Sequence, residues 1–168
     1  EGTILRLTEK CDSCVIMQIC GSCHDDANDP NFEFELEHKL ELIRHGWGSE
    51  NPAFRQTFTS LFIPGASLEQ MSWFNNLQKI TTSAENAVRL RGISDDLDIR
   101  PLLGAVTAPT LVLHCHDDAV QPFEEGRLLA AGIPNARFVG LEGANHLILD
   151  TDPGWPVFCR AVEEFLSS

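Results

Sequence analysis

Three short runs along the chain are almost purely apolar, and the stretch between the first two carries a helical period. Cys14 to Ile19 (CVIMQI), Thr110 to Cys115 (TLVLHC) and Arg137 to Leu141 (RFVGL) are bounded by turn residues, which predicts buried strands. Apolarity without polar alternation fits a parallel sheet covered on both faces. Leu36, Leu40, Ile43 and Trp47 keep a 3.6-residue spacing, which predicts an acidic-faced amphipathic helix over 33–46. Asn51-Pro52 supplies an N-cap with proline at the first helical position, followed by Phe54, Phe58 and Leu61 on one face. Pro64-Gly65 ends that helix. Ser67-Leu68-Glu69-Gln70 is a capping box for a helix carrying Met71, Phe74 and Leu77. Thr82-Ser83-Ala84-Glu85 reads as a second box, opening a helix towards Leu90. Trp47, Trp73, Phe54, Phe58 and Phe74 are assigned to the core of this helical stretch.

Helices over 122–131 and 153–166 follow the second and third strands, the last with Trp155, Phe158, Val162 and Phe165 inward. The C-terminal order of strand, loop, helix, strand, loop, helix is a βαβα unit, whose crossover should be right-handed.

Composition narrows the function classes. The 25 acidic residues outnumber the 12 basic ones and give a net charge of −13, which argues against nucleic acid or an anionic membrane surface as partner. No apolar run reaches the roughly 18–20 residues of a membrane span. The opening Glu1-Gly2-Thr3 has no Met, basic region or apolar run, so the expectation is a cytoplasmic protein read from inside a longer chain. Of six cysteines, Cys11, Cys14, Cys20 and Cys23 are crowded together, whereas Cys115 and Cys159 stand apart.

In parallel α/β sheets, functional groups collect at the carboxyl ends of strands. Two loops fit that place here: His114-Cys115-His116-Asp117-Asp118-Ala119-Val120-Gln121-Pro122, and Glu142-Gly143-Ala144-Asn145-His146. An aspartate and a histidine at the ends of adjacent strands suit a base oriented by a carboxylate, which fixes the imidazole tautomer and stabilises the imidazolium. Either Asp117 or Asp118 satisfies that pattern. The alternative is structural: a strand-end Asp capping the next helix and a His in a surface loop.

The run Ala108 to Pro122 resembles the α/β-hydrolase segment that holds the catalytic acid, and Leu141-Glu142-Gly143-Ala144-Asn145-His146-Leu147-Ile148-Leu149 resembles the family's catalytic-histidine loop. The resemblance covers roughly residues 30–168 and is most specific over 108–150. It implies a partial α/β-hydrolase fold of about three parallel strands with flanking helices and a helical cap insertion. It selects Asp118 over Asp117 as the acid, with His146 as the base, although Cys115 replaces the glycine the family places three residues before the acid. The implied organisation is an elbow-helix remnant and strand with a Cys-rich loop over 1–29, a helical cap over 30–104 and the C-terminal part of the hydrolase core over 105–168. The family's members act on small-molecule substrates, need no cofactor, and are sometimes fused to a regulatory domain.

The family's nucleophile is a serine on a G-x-S-x-G elbow. No such pentapeptide occurs. Gly92-Ile93-Ser94-Asp95-Asp96 comes nearest, lacks the last glycine, and reads as a loop in the cap. By the same register Thr3 to Lys10 is the helix that follows the serine, so Glu1-Gly2 would close an elbow whose serine precedes Glu1. The expected function is therefore the Asp–His part of a serine hydrolase acting on an ester or similar carbonyl, with this chain inactive alone. A non-catalytic ligand-binding or interaction module with the same fold is the alternative.

Two metal readings compete through the cysteines. Cys20-Gly21-Ser22-Cys23-His24 is a C-x-x-C-H haem-attachment string, with His24 as a candidate iron ligand and Met71 or another His as the sixth. Cys11, Cys14, Cys20 and Cys23 form a candidate Cys₄ zinc set, whose central gap is shorter than the usual ~12–20 residues. The expectation is neither, with the thiols grouped around one buried strand. His38 and His45 lie near two turns apart and are read as surface residues that share a helix face.

Overall fold

The computed structural model describes residues 15–16, 32–95 and 98–167. In chain order they form β1 (Val15–Ile16), α1 (Phe32–Gly46), α2 (Ala53–Phe62), α3 (Leu68–Thr81), α4 (Ala84–Asp95), α5 (Arg100–Leu103), β2 (Thr110–Cys115), α6 (Phe123–Gly132), β3 (Arg137–Leu141) and α7 (Trp155–Leu166). The sheet has the order β1-β2-β3 and is parallel throughout. Val15 pairs with Thr110, and the β2–β3 register runs from Leu111 with Arg137 to Cys115 with Leu141. The other residues of the predicted first strand lie outside the described residues.

The chain divides into two compact units, one made of β1 and everything from Ile99 onward, the other ending at Asp98. Residues 99–104, expected with the cap, therefore group with the sheet. The short helix α5 packs on α6, where Leu103 lies against Gly132.

Strand alternation explains how the sheet is covered. Leu111 and Leu113 point to one face and pack with Val139 of β3 and with Ala161, Val162 and Phe165 of α7. His114 points to the other face and lies against Gly126 of α6. Leu111 is fully buried and Val112 nearly so, as near-continuous apolarity requires of a strand with both faces covered.

In the helical unit α1 packs against α4 and α2, and α2 against α3. The Ser67 capping box forms in full: Gln70 N–H donates to Ser67 Oγ at 3.2 Å and Ser67 N–H to Gln70 Oε1 at 2.8 Å. At α2 the cap is an Asx turn, Ala53 N–H donating to Asn51 Oδ1 at 3.0 Å, and the helix begins one residue after Pro52. The next cap also shifts by one residue. Ser83 rather than Thr82 accepts the Asn86 N–H, at 3.2 Å. The helix it opens runs past Leu90 to Asp95, so Gly92 to Asp95 are its last turn and not a loop; one glycine costs about 1 kcal/mol there and does not stop it.

The buried stripe of α2 differs from expectation. Leu61 is 43% exposed, and the buried positions are Arg55 and Thr59. Trp73, assigned to the core, is 58% exposed, while Phe74 is buried. Phe58 does pack edge-on to Trp47, with ring centroids 6.1 Å apart. Arg55 is tolerated inside because carbonyls surround it. Its Nε donates to Asn75 O at 3.0 Å, and its Nη1 to Trp47 O at 2.8 Å and Ser49 O at 2.6 Å. The last two carbonyls lie just past the end of α1, where a cation complements the helix dipole. Beside it, Gln78 Nε2 donates to Thr59 Oγ1 (2.7 Å), Thr59 Oγ1 to Asn75 Oδ1 (2.7 Å), and Asn75 Nδ2 to Gln56 Oε1 (2.6 Å). This polar seam joins α2 to α3.

Removing the guanidinium leaves these carbonyls without their donor. Arg55→Ala is expected to lower unfolding stability by roughly 2–4 kcal/mol in urea denaturation, and Arg55→Lys to recover less than half, since one ammonium lacks the planar fork. An alanine variant as stable as the parent would contradict this account of the helical unit.

Candidate active site

Because β2 and β3 are parallel and in register to Cys115 and Leu141, the segments that follow them emerge side by side at the carboxyl edge. Backbone bonds tie the two loops beyond the strand ends. His116 N–H donates to Leu141 O at 2.9 Å, and Asp117 N–H to Gly143 O at 3.1 Å. Gly143 has φ +138°, a backbone that side chains rarely allow, and the loop turns there before reaching Asn145 and His146.

Of the two candidate acids, Asp118 meets His146 and Asp117 is exposed. Asp118 Oδ1 accepts the N–H groups of Val120 at 2.8 Å and Gln121 at 3.1 Å, so the side chain closes its own loop. Its other oxygen, Oδ2, lies 2.7 Å from His146 Nδ1. The two side chains are 4% and 2% exposed.

Burial by itself would push the Asp118 carboxyl up. The His146 hydrogen bond, the Gln121 and Val120 N–H groups and the imidazole's charge outweigh it and hold the carboxyl below its ordinary value. The group is thus a carboxylate, which only accepts. The proton of the shared bond therefore sits on His146 Nδ1, which leaves Nε2 as the ring nitrogen that can exchange a proton with a reacting group. That arrangement can hold a base in one tautomer and stabilise its protonated form.

Sequence reasoning assigned no role to two further residues that fix this histidine. Asn145, 1% exposed, donates from Nδ2 to Asp152 Oδ1 at 2.7 Å, and Asp152 Oδ2 accepts the Leu149 N–H at 2.8 Å. The loop is thereby closed on both sides of His146. The available signal was a short polar residue next to the candidate base, with an aspartate just before the closing helix. Cys115, in the place of the expected glycine, is buried. Burial, with the carboxylates of Asp152 and Asp118, pushes its thiol up to about 11, so it stays protonated at neutral pH and is unsuited as a nucleophile.

The other candidates lie elsewhere. Cys11, Cys14, Cys20, Cys23 and His24 fall outside the described residues, as does the segment Glu1 to Lys10. Met71 is in α3, where Gln56 Nε2 approaches its sulfur at 3.5 Å. His38 and His45 are exposed and share one face of α1, bordering a cleft with Leu42 and Phe54. Among the described residues, no group of three or more His, Cys, Asp or Glu is arranged to hold a metal ion, and no helix is long and apolar enough to cross a membrane. Ser94 lies within α4 rather than on a strand-to-helix turn.

No protein-family model matches the chain. Over 84 residues it is 34% identical to a Pseudomonas syringae protein named carbamate hydrolase RutD, a match that spans 50% of this chain and 32% of that protein. Over 88 residues it is 32% identical to the AB hydrolase superfamily protein YisY of Bacillus subtilis, spanning 51% of this chain and 31% of that one. These matches cover about a third of the curated relatives' lengths. In fold it is similar to an esterase from Exiguobacterium antarcticum, with a TM-score of 0.73 at 20% identity, over 93% of this chain and 57% of the esterase. The parallel sheet with helices on both faces and these similarities agree: the chain has a partial α/β-hydrolase fold, and about half of its length is similar in sequence to curated hydrolases.

Proposed function

We propose that the chain supplies the acid–base half of a serine hydrolase site, with His146 as general base and then general acid and Asp118 as its orienting carboxylate. The observation that carries the reading is the buried 2.7 Å bond between Asp118 Oδ2 and His146 Nδ1 at the carboxyl edge of a parallel sheet. The similarity to an esterase and to a protein named for carbamate hydrolysis supports a carbonyl substrate, an ester or a relative of one.

The nucleophile in this proposal is a serine outside these 168 residues, because none here stands in a G-x-S-x-G context. Ser67, which follows Gly65-Ala66, spends its hydroxyl on the α3 cap. In the reaction, His146 Nε2 takes the serine proton as the serine oxygen bonds to the carbonyl carbon. The imidazolium then gives that proton to the leaving group as the bond to carbon breaks. Water, deprotonated by the same nitrogen, cleaves the resulting acyl-enzyme. Asp118 opposes the imidazolium charge throughout. The helical unit is read as the cap insertion that governs substrate choice.

The test is a pair of measurements on the purified chain: turnover of a p-nitrophenyl ester, and labelling by a fluorophosphonate probe that reacts with activated serines. The expected result is neither turnover above the blank nor a labelled serine. Turnover that is abolished by His146→Ala would contradict the proposal, because it would place the nucleophile within this chain.

The lowered Asp118 pKa also sets a pH dependence. A carboxyl depressed in the folded state binds fewer protons than in the unfolded chain, so its stabilisation is complete above the ordinary value of 3.8 and is lost as pH falls through the lower folded value. In acid titrations of unfolding stability, Asp118→Asn should flatten the fall below about pH 4 relative to the parent. Identical acid limbs would show that the pair does not hold the carboxylate ionised.

A further inference from the structure

We propose that His114 is a positioning residue for Asp118, acting through the backbone of Gln121; the inference rests on reading Asp118 and His146 as the acid–base pair. His114 interrupts the apolar run of β2, and an imidazole at a largely buried strand position costs free energy unless its polar atoms are bonded. Its side chain is 12% exposed. Its Nε2 lies 3.0 Å from the carbonyl oxygen of Gln121. A carbonyl only accepts, so Nε2 carries the proton in that bond and His114 is the donor.

Gln121 is also one of the two residues whose N–H groups hold Asp118 Oδ1, at 3.1 Å. A continuous path results: His114 Nε2–H to Gln121 C=O, and Gln121 N–H to Asp118 Oδ1. With Oδ1 held, Oδ2 is presented to His146. The same His114 nitrogen lies 3.5 Å from Oδ2, the oxygen that accepts the His146 proton.

The imidazole is itself confined. The ring of Phe123 stands perpendicular to it, with centroids 5.8 Å apart. On α6 the facing residue is Gly126, where an added Cβ would stand 2.5 Å from His114 Nδ1. The helix approaches the sheet this closely only because that position has no side chain. Strand, helix and loop therefore fix the donor that fixes the acid.

The experiment follows the proton on His146 Nδ1 in the full chain by ¹H–¹⁵N spectroscopy of the imidazoles at neutral pH. In the parent that proton is expected to be slow to exchange and downfield, and Asp118→Asn should move or remove its signal. His114→Met, similar in bulk but without a donor, should lose the signal to solvent exchange. His114→Gln, whose amide nitrogen can take the place of Nε2, should retain it. Gly126→Ala, which crowds the ring and leaves the donor in the chain, should weaken it. A folded Met variant with the parent signal would overturn the proposal. If the Met variant fails to fold, loss in the Gln variant together with an unchanged signal in Gly126→Ala would overturn it equally. The underlying reading fails separately, if Asp118→Asn leaves the His146 signal unaltered.

Discussion

A carboxylate removed from water must be satisfied at both oxygens, and the sheet unit is organised around meeting that demand for Asp118. Its oxygens divide the work. Oδ1 takes two backbone N–H groups of its own loop, and Oδ2 takes the imidazole of the neighbouring loop. The parallel register of β2 and β3 brings those loops together, and the cross-loop bonds of His116 and Asp117 hold them there. Loss of the imidazole would leave a buried oxygen without its donor, so the hydrogen bond proposed for catalysis also supports the fold locally.

The supports around the pair are mostly polar and mostly backbone-directed. Asn145 and Asp152 close the histidine loop, and His114 reaches the aspartate loop through a carbonyl. Each ties a side chain to a loop that has no ladder of its own. The helical unit uses the same device on another scale. Arg55 gathers carbonyls from α3 and from the segment after α1, and the Gln78, Thr59, Asn75 and Gln56 side chains bond in series between α2 and α3. Directional bonds of this kind specify one packing of helices where apolar contacts alone would tolerate several.

How far this was legible in the sequence follows from which interactions are local. The strands TLVLHC and RFVGL could be read because a covered parallel strand is apolar throughout, and Ser67 because a capping box is written within four residues. Asp118 and His146 stood out as chemistry at strand ends, but the choice over Asp117 needed the resemblance, since only the turn of the loop decides which of two adjacent carboxylates faces inward. Arg55 was not legible. An arginine in an amphipathic pattern is read as exposed, and its burial depends on three carbonyls at Trp47, Ser49 and Asn75 that no local pattern marks. Leu61 and Trp73 failed for the complementary reason: apolar side chains were assigned inward, although a protein surface keeps a large apolar share. Gly92 to Asp95 read as a loop because they form an incomplete elbow pattern with no strand before it, whereas the helix accommodates the glycine and runs on to Asp95.

The most direct test of the central claim is a double-mutant cycle on unfolding free energy with Asp118→Asn and His146→Gln, singly and together. Asn keeps an acceptor for the Val120 and Gln121 N–H groups, so the cycle isolates the bond to the imidazole. A coupling of about 1–3 kcal/mol between the two sites is predicted for a buried, charge-assisted pair. Additivity of the two substitutions to within about 0.5 kcal/mol would show that the residues do not act as a unit and would contradict the account.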